Sequence, residues 1–253
     1  VTPDVPVPRG LFRHSRTGTS GVFVTGTGTE VGKTVVAAVL ARTLAAEGKR
    51  VAVFKPAVTG LDEAADGPIR QGDLDVSAHR RPDHVLLREA AGSEQSDEEI
   101  APYRYGPPMS PHLAAELAGE EIDRERLLAA ARAAADGADA LVCEGVGGLL
   151  VPLATDYLVR DLAVDLGLRL VVAATPGLGT INHTLLTLEA ARSAGLEVGF
   201  VVLTPWPEVP NPIEESNRET IATLGEVRVE TLQRLDLADP PSWPRLPAPL
   251  PLG

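Results

Sequence analysis

Two lysines, a threonine and a glutamate stand where they could handle a phosphoryl group. Lys33 and Thr34 close the stretch Val22-Phe23-Val24-Thr25-Gly26-Thr27-Gly28-Thr29-Glu30-Val31-Gly32-Lys33-Thr34. An apolar, β-branched run ends in a loop of glycines and threonines, and an Ala/Val/Leu-rich segment follows. That order is strand, phosphate loop, helix. The backbone N–H groups of such a loop turn inward around phosphate oxygens, at the positive end of the helix dipole. Lys33 would reach the outer phosphates, and the Thr34 hydroxyl would hold Mg²⁺. The usual spacing places a glycine where Thr27 stands; Gly26 comes one residue earlier, so this loop is one residue longer. A plain strand–helix turn would leave the pairing of Lys33 with Thr34 at the helix start unexplained.

Lys55 follows the short apolar run Val51-Ala52-Val53-Phe54 and is held by Pro56. A lysine at the carboxyl end of a parallel strand faces the same crevice as the phosphate loop. Two lysines there suit phosphoryl transfer, where charge stabilisation does most of the catalysis. A solvated strand-end lysine is the alternative. Glu144 follows Ala140-Leu141-Val142-Cys143 and precedes Gly145, Val146, Gly147 and Gly148. A carboxylate in that place would orient Mg²⁺ on the terminal phosphates; a simple glycine turn is the bland reading. Asp73, after Gly72, is either a metal ligand or a helix N-cap.

These residues need a scaffold that brings strand ends together. Residues 35–47 read as a helix ended by Gly48, residues 51–54 as a strand, and the unit as βαβ with parallel pairing. Ser110 is expected to cap a short helix over 111–117, and 123–135 form another. Strands are expected at 140–143, 170–174 and 198–203, with Thr204-Pro205-Trp206-Pro207 breaking the last. Helices are expected up to Ala194 and over 213–224. The fold class is α/β: one doubly wound P-loop NTPase domain with a mostly parallel central sheet flanked by helices. Residues 1–20 read as a loose extension, 21–235 as the domain, and 236–253 as a proline-rich, partly loose tail.

Composition narrows the setting. The net charge of -12 argues against nucleic acid as a main partner. One cysteine, Cys143, excludes an intrachain disulfide and suits a reducing compartment. No apolar run reaches membrane-spanning length, and the first residues lack the apolar core of a signal peptide. A cytoplasmic protein without membrane contact is expected. Aromatic residues are only 4%, so the core must be built from Ala, Val and Leu.

Taken in order, these motifs resemble the dethiobiotin synthetases. The resemblance rests on the lengthened loop, Lys55-Pro56 with Thr59-Gly60, then Asp73, Ser110-Pro111-His112, Glu144-Gly145-x-Gly147-Gly148 and Gly179-x-Ile181-Asn182-His183. It covers about residues 21–203 and implies a biotin-pathway cyclo-ligase that forms carbon–nitrogen bonds. The implied substrates are 7,8-diaminopelargonate, CO₂ or bicarbonate and ATP or another nucleoside triphosphate, with Mg²⁺. By resemblance Lys33, Lys55, Thr29 and Thr59 serve catalysis, and Thr34, Asp73 and Glu144 hold the metal. Glu30, Val31, Gly32, Lys33, Thr34, Val35, Asp73, Glu144, Gly145, Val146, Gly147, Thr204 and Pro205 meet the nucleotide. Lys55, Thr59, Val146, Gly147, Gly148, Leu149, Leu178 and Asn182 meet the amine substrate. Family members are homodimers whose site reaches the partner subunit. No basic side chain is evident near Leu178, so helix-end N–H groups would take the substrate carboxylate.

Two departures stand out. Thr204-Pro205 replace an Asn-Asp pair that reads adenine in many relatives, and proline has no N–H to donate. Gly225-Glu226-Val227-Arg228-Val229 replace a further nucleotide-contacting segment. Base selectivity should be weakened. Partition and septum-site switch ATPases share the fold, but they usually carry a second lysine early in the loop, where Gly26, Thr27 and Gly28 stand here.

Overall fold

The computed structural model describes residues 20–62 and 81–246. Its centre is a six-stranded sheet in the order β2-β3-β1-β6-β7-β8. The strands are β1 (Gly21–Gly26), β2 (Val51–Phe54), β3 (Ala140–Glu144), β6 (Arg169–Ala174), β7 (Val198–Trp206) and β8 (Val229–Gln233). Every pairing in this sheet is parallel. A separate hairpin joins β4 (Pro152–Ala154) to β5 (Tyr157–Leu158). The helices are α1 (Lys33–Ala46), α2 (Asp83–Ala91), α3 (Asp97–Ile100), α4 (Pro111–Ala118), α5 (Arg124–Ala135), α6 (Val159–Leu166), α7 (Thr180–Ser193) and α8 (Pro212–Leu224).

β1 is buried along its whole length, as a parallel strand covered on both faces must be. Its side chains alternate between layers. Val22 and Val24 pack with α1 and α2, whereas Phe23 packs with α5 and α6. A third cluster joins β6 and β7 to α7 and α8. α1 is buried from Val36 to Ala41 and at Leu44, which explains why its sequence is apolar nearly all round. β1 lies between β3 and β6, so the crevice beyond its carboxyl end is the switch point of the sheet.

The structure departs from the sequence expectations in several places. β7 does not stop at Leu203 but continues to Trp206, through a cis Thr204–Pro205 bond. The neighbouring β6 pairs with β7 only as far as Ala174↔Leu203. An exposed proline is tolerated where no neighbour on that side asks for its N–H. β8 has no clear signal in the sequence because an edge strand carries polar residues: Glu230, Thr231 and Gln233 break the apolar run. Residues 225–228 precede β8 and so lie at the amino end of the sheet, opposite the crevice. The chain leaving β8 toward the crevice begins at Arg234. Ser110 stands at the N-cap of α4 as expected, without a side-chain cap bond.

Residues 236–246 pack against the sheet's α1 side. Trp243 and Leu246 are buried in the same cluster as α1, and the Trp243 indole N–H donates to the Asp236 carbonyl at 2.7 Å. Residues 1–19 and 247–253 lie outside the described residues. Trp243→Ala should lower stability by about 3–5 kcal/mol, the usual cost of emptying a buried aromatic site, with kcat unchanged in the folded enzyme. Thermal melts beside steady-state kinetics check this.

Candidate active site

The phosphate loop is shaped by what its glycines lack. Gly32 has φ 86°, and a Cβ there would lie 2.6 Å from the Thr204 methyl carbon. A Cβ on Gly26 would lie 2.6 Å from Val31 Cγ2 and 2.9 Å from Lys33 Cγ. Lys33 opens α1, and its stem passes back over Gly26. Its Nζ donates to the Gly28 carbonyl at 2.8 Å. Burial lowers the Lys33 pKa, Glu144 opposes that shift, and Lys55 adds to it. The loop therefore holds a buried ammonium over its own backbone, in the position from which a phosphate oxygen would draw it away from Gly28.

Beyond the loop, four strand and helix ends converge. The Thr34 hydroxyl, in the first turn of α1, donates to Glu144 Oε1 at 2.9 Å. Lys55 Nζ donates to the same oxygen at 2.7 Å and forms an ion pair with Asp83 Oδ2 at 2.7 Å. Burial alone would lower the Lys55 pKa, but Asp83 and Glu144 outweigh it and keep the ammonium charged far above neutral pH. Burial raises the Glu144 pKa, against the pull of Lys55 and with a push from Asp83. Burial would also raise Asp83, yet Lys55 prevails and holds it low. Glu144 is fully buried, whereas the Asp83 side chain is 45% exposed.

This donor set fits a hard divalent cation. Glu144 Oε2 is buried with no hydrogen-bond partner, and the Thr34 hydroxyl and Asp83 carboxylate lie beside the same cluster. Two carboxylates and a hydroxyl leave places for phosphate oxygens and water, as Mg²⁺ prefers. The sequence-expected metal residue Asp73 lies outside the described residues. Asp83, which stands in the cluster, is not among the sequence-expected residues. A signal was present: Pro82-Asp83 opens a periodic apolar run of Leu86, Leu87, Ala90 and Ala91, and acidic residues favour a helix's first turn. Asp62, Asp66, Asp73, Asp75 and Asp83 are otherwise alike in sequence.

The remaining expected residues sort by distance from this centre. Thr29 and Glu30 are exposed on the loop, Glu30 with φ 59°, while Val31 is nearly buried. Val35 is half-buried on α1. Thr59 lies just past Lys55, next to Val58, which bridges to Arg104. The Gly145–Gly148 turn abuts the phosphate loop: a Cβ on Gly148 would lie 3.6 Å from the Gly26 carbonyl oxygen. Val146 is half-buried and Leu149 buried. Thr204 is buried against Gly32, and Pro205 is exposed. Leu178 is 96% exposed and Asn182 is exposed at the amino end of α7. No hydrogen bond links those two side chains to the Lys55 cluster among the described residues.

Comparison with known proteins agrees with this architecture. The AAA domain family matches residues 20–235. An ATP-dependent dethiobiotin synthetase BioD of Bacillus subtilis (strain 168) is 34% identical over 204 residues, covering 81% of this chain and 82% of its own. The protein of the same name from Anaeromyxobacter dehalogenans (strain 2CP-1) is 42% identical over 204 residues, 81% of this chain and 85% of its own. One from Anaeromyxobacter sp. (strain Fw109-5) is 38% identical over 217 residues, 82% and 91% of the two chains. With a lengthened phosphate loop, two crevice lysines and an oxygen-donor cluster at the switch point, the chain belongs to the ATP-dependent dethiobiotin synthetase family.

Proposed function

We propose that this protein closes the ureido ring of dethiobiotin from 7,8-diaminopelargonate, CO₂ and ATP, with Mg²⁺ held by Thr34, Asp83 and Glu144. The observation that carries the reading is the meeting of the Lys33 and Lys55 ammonium groups with those three oxygen donors beyond the carboxyl ends of β1, β2 and β3. One substrate amine takes up CO₂ as a carbamate. A carbamate oxygen attacks the γ-phosphorus and ADP leaves. The second amine attacks the carbamoyl carbon of the mixed anhydride, the ring closes, and phosphate departs. Carbamate and γ-phosphate are both anions, so their approach must be screened. Lys55 stands on the substrate side of that encounter and Lys33 on the nucleotide side. Bound Mg²⁺ would neutralise charge on the phosphate oxygens. Thr29 and Thr59 offer hydroxyls at the rim, and the Gly145–Gly148 turn offers backbone N–H groups.

The amine substrate extends along Val146, Gly147, Gly148 and Leu149. Leu178 and Asn182 belong to a homodimer interface in which each subunit completes its partner's site. The 96% exposure of Leu178 and the 53% exposure of Leu150 support that reading, since both lose water only against another surface.

Phosphate release from ATP should require both diaminopelargonate and bicarbonate, with the cyclic urea as product. Release indifferent to both would instead mark a switch ATPase. The base should be read weakly, because Pro205 has no N–H and Thr204 is buried against Gly32. ATP, GTP, CTP and UTP should support turnover within about tenfold of one another, the scale of one or two lost hydrogen bonds. An exclusive ATP preference in side-by-side turnover measurements would contradict this.

A further inference from the structure

Lys55 takes its position from β2, and β2 is an edge strand with β3 on one side only. On the open side a single side chain stands in for a neighbouring strand. The Val53 N–H donates to Gln95 Oε1 at 2.8 Å, and Gln95 Nε2 donates to the Val53 carbonyl at 3.2 Å. Both backbone groups of one strand residue are thereby satisfied by one amide, as a ladder partner would satisfy them. Ser93 fixes that amide. Its hydroxyl donates to Gln95 Oε1 at 3.0 Å and accepts the Gln95 N–H at 3.2 Å. Two residues further along β2's edge, the Lys55 N–H donates to the Ile100 carbonyl at 2.8 Å. Residues i and i+2 of a strand turn their backbone groups to the same edge. Gln95 and Ile100 therefore grip successive points of one edge, and the second point is Lys55 itself.

The same short segment begins with Asp83 at the start of α2, and Gly92 ends that helix just before Ser93. It thus supplies the carboxylate that pairs with the Lys55 ammonium and the amide that holds the strand beneath it. We propose that Gln95, oriented by Ser93, is a positioning residue for Lys55: it sets the height of the ammonium in the crevice by holding the open edge of β2. This rests on the reading of Lys55 as the lysine that screens the carbamate–phosphate encounter. Among the described residues the Gln95 hydrogen bonds go to Val53 and Ser93 and none to the phosphate loop, so nucleotide binding through β1 and α1 should be spared.

The test compares Gln95→Ala, Gln95→Glu and, as a control of lowered stability on the α1 side of the sheet, Trp243→Ala. Gln95→Ala should lower kcat by about tenfold or more, because small displacements of a catalytic group are costly, while its KM for ATP stays within about twofold of wild type. Gln95→Glu keeps the acceptor for the Val53 N–H but sets a carboxylate oxygen against the Val53 carbonyl, so its kcat should also fall while its KM for ATP stays near wild type. Trp243→Ala should lose stability and keep kcat. Should Gln95→Ala not fold, Gln95→Glu reads the same split. A folded Gln95 variant with wild-type kcat would overturn the proposal, as would a parallel fall of kcat in Trp243→Ala. Wild-type kcat in Lys55→Ala would strike the reading of Lys55 itself, whatever Gln95 does.

Discussion

Lys55→Ala should reduce kcat by about 10²–10³-fold, the scale seen when one preorganised charge is removed from a transition state. Its ammonium bridges Glu144 and Asp83 at 2.7 Å each and is 4% exposed, so no water shell can replace it in place. The loss falls on the chemical step more than on nucleotide binding, because Lys33 and the loop remain. The folded state also suffers. Glu144 would keep its full burial and lose the cation that opposes its raised pKa, and an orphaned buried charge costs about 3–5 kcal/mol, a large part of a small domain's stability. Protonation of Glu144 offsets part of that cost, so the variant should fold with a lower melting temperature that falls further as pH rises. Lys55→Arg should not rescue fully, since a guanidinium cannot occupy an ammonium's compact site. Steady-state phosphate release at saturating substrates checks the rate; kcat within about tenfold of wild type would contradict it.

Glu144→Gln is the second large effect. The amide keeps the shape and can still accept from Thr34 or Lys55 through its oxygen, so folding should survive. The buried oxygen without a partner becomes an amide nitrogen, which repels a cation instead of holding it. The Mg²⁺ concentration for half-maximal activity should rise by about 100-fold. Titration of Mn²⁺ binding in the presence of a non-hydrolysable nucleotide gives a readout apart from turnover. An unchanged metal affinity would remove Glu144 from the metal set and leave it as a structural anchor for Lys55 and Thr34. Lys55 keeps Asp83 as a partner in this variant, which separates the metal role from the positioning of the lysine.

How much of this was legible in advance follows from the range of each interaction. The phosphate loop could be read because strand, loop and helix are contiguous, and Lys33 and Thr34 are neighbours in the chain. Four strands could be read because burial on both faces demands an uninterrupted apolar run, as in 22–24, 51–54, 140–143 and 170–174. The far edge of the sheet lacked that demand. β8 is only partly buried, and β7 runs on past Leu203 because a proline is no obstacle beyond the end of β6.

The local sequence by itself determined that a phosphate site exists, that parallel strands surround it, and that Lys55 and Glu144 end two of them. Only the tertiary structure decided that Asp83 joins them. Asp83 lies 28 residues beyond Lys55, and the packing of α2 against α1 brings it to the lysine. It also decided that Thr34 and Glu144, 110 residues apart, share a hydrogen bond, and that Trp243 closes over α1. Propensity and periodicity act over a few residues; the charge pairing that makes the site acts across whatever the folded core brings within a few ångströms.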